Sequence, residues 1–145
     1  MRNRLQLRPT LAPTAGNRDR WLKVDSDDAL RYLTPVLGPT SVLVAHQSVR
    51  LLANTMAHVT VDADEFASRF GINRSQLERS IMRLVRFNVA QMSSADATNE
   101  PMTVVFFAVK LPPLPDHWVS RMPTTISVAC PYSKSNTITH EGVPQ

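Results

Sequence analysis

A chain of 145 residues with 43% hydrophobic residues and a net charge of +4 has room for one core of about 100 residues without disulfide or metal staples. Its longest purely apolar run, Val104 to Val109, has six residues, far short of the roughly 18–20 that span a bilayer. Cys130 is the single cysteine, which excludes an internal disulfide and a cysteine zinc site and suits a reducing cytosol.

Residues 1–24 contain Pro9, Pro13 and Gly16 and show no sustained apolar period. They read as a basic, disordered arm. Residues 1–23 carry a balance of +5 and the rest of the chain −1, and basic N-terminal arms commonly meet nucleic acid. No secretory leader is expected, and a transit peptide is the weaker alternative. Ser26 is a good N-cap, with Asp27 and Asp28 in the first turn, where acids favour the helix dipole. That helix uses Leu30 and Leu33 and is expected to break before Pro35. Gly38-Pro39 resets the chain, and Thr40 or Ser41 is expected to cap a helix reaching about Thr55. Its stripe is Val42, Ala45, Val49, Leu52 and Met56, while Val44 and Leu51 lie on the opposite side. A helix apolar on two faces is covered twice, by its own chain or by a second copy.

His58 to Val61 reads as a short strand and Asp62 as the cap of a helix over 63–70. Gly71 supplies the left-handed stop. Asn73 with Gln76 three residues on forms a capping box for a helix to about Phe87. Val89–Ser93 and Met102–Leu111 read as two strands joined by a polar turn. The prolines from 112 to 115 end the second strand, and one more helical turn fits Asp116–Met122. Trp118 is expected to cover the open end of the core. Residues 123–145 read as a disordered tail, with a short strand at Ile126–Ala129 as the alternative.

The stretch GINRSQLERSIMRLVRFN, residues 71–88, carries the functional question. With Leu77 at 0° and about 100° per residue, Ile81 falls near 40° and Leu84 near 340°, one core-facing stripe. Arg86, Arg79, Arg83 and Gln76 then fall in an arc of about 80° pointing away from it. Solvated helix faces usually mix signs at i,i+4, whereas Arg79 and Arg83 are four apart and alike. All the cations are arginine, which suits bidentate contacts to guanine or phosphate.

The segment VDADEFASRFGINRSQLERSIMRLVRFNVAQM, residues 61–92, resembles the winged helix-turn-helix DNA-binding domains. The shared features are Ala67 at the helix crossing, the turn at Gly71-Ile72, and Leu77, Ile81 and Leu84 on the recognition helix, followed by a hairpin wing. The likeness covers about residues 40–111, and the segment through LPPLPDHWVSRMP is similar to small winged-helix proteins of actinobacteria and their phages. It implies a mainly α fold with a small β-hairpin (α+β), an extra N-terminal helix, a domain over 25–122, and flexible tails. It further implies that helix 74–87 enters the major groove. Gln76, Arg79 and Arg83 would be nearest the base edges, Arg74 and Ser75 at its open end, and Arg86 on the backbone. The sequence departs from the family at the wing tip, where Ser94 to Glu100 holds two acids and no base. Arg2, Arg4 and Arg8 of the arm would substitute by reaching a groove.

Catalytic chemistry has no foothold. The four glycines are at least 22 residues apart, so neither a phosphate-cradling loop nor a dinucleotide fingerprint can be written. His46, His58, His117 and His140 have no i,i+4 partner, and each reads as a surface or partly buried side chain. Pro112 and Pro115 fit a P-x-x-P peptide ligand, though a chain leaving a sheet explains them as well.

The expectation is therefore a cytoplasmic, nucleoid-associated DNA-binding protein of the transcription-regulator kind, without enzyme activity, cofactor, metal or membrane span. Its partners would be double-stranded DNA and, on family grounds, a second copy. With four arginines on phosphates, affinity would fall with a log–log salt slope of about −3.6. The rival expectation is a winged-helix adaptor that meets an acidic protein instead of DNA.

Overall fold

In residues 1–10, Leu5 and Leu7 alternate with Arg4, Gln6 and Arg8, the period-two pattern of a half-buried strand. The protein, seen in a computed structural model that describes residues 1–10, 21–54, 57–95 and 101–134, uses them in that way. Strand β1 (Arg4–Pro9) lies inside a four-stranded sheet. It pairs antiparallel with β3 (Val59–Asp62) and parallel with β5 (Met102–Phe107), which in turn pairs antiparallel with β4 (Ala90–Ala95). The sheet order is β3-β1-β5-β4. A short second ribbon joins β2 (Leu22–Lys23) to β6 (Lys110–Leu111).

This corrects the disordered arm. Residues 4–9 and 22–23 are strands, because Leu5, Leu7 and Leu22 are fully buried and the neighbouring strands satisfy the backbone polar groups. Residues 11–20 lie outside the described residues. The expected single hairpin is likewise one side of a larger mixed sheet, so the fold is α+β with more strand than the pattern suggested.

Helix α1 (Asp27–Leu37) starts at Ser26, whose side chain accepts from the Ala29 N–H at 3.2 Å. It does not break at Pro35 but carries it inside. Val36 and Leu37 are buried beyond the proline, and the Gly38 N–H closes the last turn on the Thr34 carbonyl at 2.9 Å. Burial on the far side of the proline outweighs the lost ladder bond.

Helix α2 (Pro39–Ala53) begins two or three residues earlier than a cap at Thr40 or Ser41 would place it. Its N-cap is Gly38, at φ 86°, with no side-chain cap; neither Thr40 nor Ser41 fills that role. Val42, Ala45, Val49 and Leu52 are buried, and Val44 as well. Helices α1 and α4 (Arg74–Arg86) and strands β1 and β5 all pack on α2, so Val44 finds its cover within the chain. Met56, expected in the same stripe, lies outside the described residues.

Asp62 caps α3 (Ala63–Ser68) by accepting from the Glu65 N–H at 3.0 Å. Gly71 adopts φ 70°, and its N–H and that of Ile72 close on the Ser68 and Ala67 carbonyls, as a left-handed stop requires. Helix α4 (Arg74–Arg86) opens on the complete Asn73–Gln76 capping box. It ends with Asn88 at φ 62°, where the Val89 N–H reaches the Leu84 carbonyl at 2.9 Å. The expected strand over 102–111 is divided, β5 serving the large sheet and β6 the ribbon. Phe107 is buried and Phe106 half-buried on the opposite face.

The segment after β6 folds back over the helices. Trp118, in α5 (Asp116–Val119), stacks edge-on to Phe87 with centroids 5.5 Å apart. The tail expected from residue 123 is ordered through 134: α6 (Thr124–Ser127) replaces the alternative strand, and Cys130 is fully buried. Residues 135–145 lie outside the described residues. Tyr32 donates to the Ala129 carbonyl at 3.1 Å, and Tyr132 donates to the Asp28 carboxylate.

Burial, and then the hydrogen bond to the Asp28 carboxylate, push the Tyr132 phenol up to about 12. A raised acid stabilises the fold fully below its unfolded value near 10, and that contribution is lost as pH climbs through the folded value. Tyr132→Phe is therefore expected to cost about 1 kcal/mol at neutral pH and to flatten the loss of stability between pH 10 and 12 expected of the unaltered chain. Urea unfolding at pH 7, 10 and 11 checks both.

Candidate nucleic-acid interface

Helix α4 presents the face read from the sequence. Leu77, Ile81 and Leu84 are fully buried, while Ser75, Gln76, Arg79, Arg83 and Arg86 are exposed. What periodicity could not supply is the opposite wall. The start of α2 runs beside the arginine arc, and the two enclose a groove of about 450 Å³ lined by Thr40, Ser41, Gln76, Arg79, Arg83 and Arg86 among others. Three arginines line it and no carboxylate does. Ser41 ties the walls together, its hydroxyl donating to the Ser80 carbonyl at 3.2 Å.

The arginines are not equivalent. Arg83 lies 5.6 Å from the Phe87 ring centroid, with Nη2 3.4 Å from the Val36 carbonyl, which holds its planar head at the groove. Arg83 and Arg86 sit in the last turn of α4, where the helix dipole alone favours cations. Arg79 is mid-helix and has no such local reason. It has no acidic partner among the described residues, since Glu78 meets the Met1 amino group at 3.5 Å instead.

Arg74, expected at a phosphate or base, is engaged otherwise. It forms a two-pronged ion pair with Asp64, at 3.0 and 2.6 Å, and also donates to Asn3. The guanidinium hydrogen bonds hold the Asp64 carboxyl below its usual range, and the carboxylate raises Arg74. Gln76 spends its Oε1 on the Asn73 N–H at 2.9 Å; only its amide nitrogen remains to read a base. Ser75 stays exposed at the open end. Arg4 and Arg8 alternate with the buried Leu5 and Leu7 and so point to the sheet face away from the helices. Arg8 donates to Gln6 there. They do not join the groove, because strand geometry turns successive side chains to opposite faces. Arg2 precedes the strand, its backbone N–H on the Thr103 hydroxyl at 3.0 Å.

Thr40, Ser41 and Ser80 are the lining residues that sequence reasoning missed. Ser80 falls on the flank between Gln76 and Leu84, a polar residue at the edge of an apolar stripe, and that was the available signal. The facing of Thr40 toward α4 leaves no mark in the sequence.

Among the described residues no group of three His, Cys, Asp or Glu is placed to hold a metal ion, and no helix is long and apolar enough to cross a membrane. His46 is buried, and His58 and His117 are exposed; His140 lies outside the described residues. So does the wing tip from residue 96 to 100.

No protein-family model and no curated protein matches the chain. Among solved structures it is similar to primosome protein DnaB (residues 1–300) from Geobacillus stearothermophilus, with a TM-score of 0.51 and 10% identity. The alignment covers 99% of this chain and 52% of that one, so the chain spans about half its length. At that identity the likeness concerns the mixed α/β fold alone.

Proposed function

We propose that the chain is a winged-helix protein that binds duplex DNA along the α4 groove, acting as a sequence-reading regulator. The order helix, strand, helix, turn, helix, hairpin is met by α2, β3, α3, α4 and β4–β5. Strand β1 is interposed between β3 and β5. The observation that carries the reading is the groove with three arginines and no carboxylate, at the rim of a helix whose other side is anchored in the core. Arginine heads in such a setting supply both phosphate neutralisation and bidentate readout of guanine.

With Arg74 paired, three arginines remain for phosphates, and the slope of log affinity against log salt is expected near −2.7. That is about a fortyfold loss for a fourfold rise in salt. Fluorescence anisotropy on mixed-sequence duplexes at several salt concentrations measures it. A flat response, or no binding at low salt, overturns the reading.

Arg74 offers a gain-of-affinity check. Asp64→Asn removes the carboxylate that occupies it, so duplex affinity should rise and the salt slope steepen by about 0.9. The same variant tests the ion pair itself. A lowered carboxylate contributes stability above its unfolded value near 3.8 and loses it as pH falls through the lower folded one. The acid limb of the unaltered chain should therefore be steeper than that of Asp64→Asn.

A further inference from the structure

Phe87 closes helix α4 and is half-buried. Trp118 of α5 covers it edge-on, and the rest of its surroundings are cationic. The guanidinium carbon of Arg83 lies 5.6 Å from the Phe87 centroid, and that of Arg121 lies 5.6 Å from the same point. The two heads are therefore no further apart than twice that distance.

Arg121 is fixed there by its backbone. Its N–H closes on the Trp118 carbonyl at 3.1 Å, and Trp118 and Met122 near it are buried. The arginine itself is exposed. Attraction to an aromatic face accounts for one cation beside Phe87. It does not account for a second at the same ring, nor for Arg86 one residue before it. Helix α5 has four residues, so few aligned peptide dipoles stand behind Arg121. Like charges at this range repel, and protein surfaces ordinarily intersperse the two signs. Yet no carboxylate forms an ion pair with Arg83, Arg86 or Arg121 among the described residues. Arg83 and Arg86 also line the groove between α2 and α4. Arg121 thus continues the arginine face of α4 past the end of the helix, from a segment 35 residues beyond Arg86.

We propose that Arg121, with Arg83 and Arg86 about the Phe87 ring, is a clamp for the phosphates of one DNA strand beside the end of α4. This rests on the duplex reading above and adds a contact from outside the helix-turn-helix. One strand offers a phosphate about every 3.4 Å of axial rise, so heads this close reach neighbouring phosphates of the same strand. A guanidinium lying on a ring still presents its N–H edge to phosphate oxygens. Contact with Phe87 therefore leaves the donors open, apart from the Arg83 Nη2 directed at the Val36 carbonyl. Backbone contacts set the position of a protein on a duplex and carry no sequence information. Arg121 accordingly supplies affinity and register, and leaves base discrimination to the groove.

The test is fluorescence anisotropy of the full chain on mixed-sequence duplexes at several salt concentrations. Arg121 adds about 0.9 to the slope of about −2.7 supplied by α4. Arg121→Ala should remove that increment, bind about tenfold more weakly and keep the same ranking of duplex sequences. Arg121→Lys should keep the slope, because the charge alone releases the counterion. The melting temperature of Arg121→Ala should fall only by what the Phe87 contact contributes, which separates a lost contact from a lost fold. If Arg121→Ala matches the unaltered chain in affinity and slope while Arg79→Ala weakens binding, the clamp is overturned and the α4 reading stands. If Arg121→Ala weakens binding and lowers the slope while Arg79→Ala changes neither, the clamp is supported and base reading by α4 is overturned. No duplex binding by the unaltered chain at low salt removes the duplex reading and the clamp with it.

Discussion

Leu5→Ala and Leu7→Ala are each expected to destabilise the fold by about 2–5 kcal/mol. Both side chains are fully buried, on a strand with neighbours on each side. Domains of this size have only about 5–15 kcal/mol in total, so the double variant should lose most of its structure at room temperature. With a urea dependence of about 1–3 kcal/mol per molar, each single change should lower the midpoint by about 1–2 M with an unchanged slope. The contrast lies in the intervening residues. Arg8→Ala, on the outer face, should shift stability by no more than about 0.5 kcal/mol. A loose arm would make all three changes equally silent, so equal and negligible shifts would contradict β1 as an interior strand.

Replacing Arg79 and Arg83 together by alanine should weaken duplex binding about a hundredfold, taking about 1.5 kcal/mol for each charged contact. The salt slope should drop by about 1.8. Neither side chain is buried, so the melting temperature should fall only by what the Arg83–Phe87 contact contributes, and a hundredfold binding loss can be read as a loss of contact. Arg79 is the more informative residue. The dipole at the end of α4 gives Arg83 a reason to be basic without any ligand, and its stacking on Phe87 adds a second. Arg79→Ala alone should therefore cost binding at no cost in stability, whereas Arg83→Ala should cost some of both. A lysine at position 79 keeps the charge and the slope but loses the bidentate fork. Discrimination between duplex sequences should fall with it. Unchanged affinity in the double alanine variant would remove α4 as the DNA-contacting helix.

The parts legible in the sequence were those whose information is local. The capping box of Asn73 and Gln76, the left-handed Gly71 and the stripe of Leu77, Ile81 and Leu84 each depend on residues within seven positions of one another. The structure has all three in place. The same holds for the outward arc of Arg79, Arg83 and Arg86, since helix geometry alone fixes which residues share a face. Errors gathered where local rules met distant packing. Pro35 should end a helix on local grounds, but Val36 and Leu37 have core contacts to gain by staying helical. Arg74 looks open in the sequence because its partner, Asp64, is ten residues back across a turn.

Residues 1–10 show the limit most plainly. Their alternation of Leu5 and Leu7 with Arg4, Gln6 and Arg8 was present in the sequence, yet it spans too few residues to outweigh the prolines and arginines around it. Their partners, Thr60 beside Gln6 on one edge and Val104 on the other, lie 54 and 98 residues further along the chain. Strand pairing is a contact between remote segments, and nothing in either segment alone names the other. The groove follows the same logic: α4 carries its arginines by its own periodicity, but only the packing of α2 against α4 brings the start of one helix to the charged flank of the other. Local spacing thus determined which side chains face outward together, and the burial of distant apolar residues decided what they face.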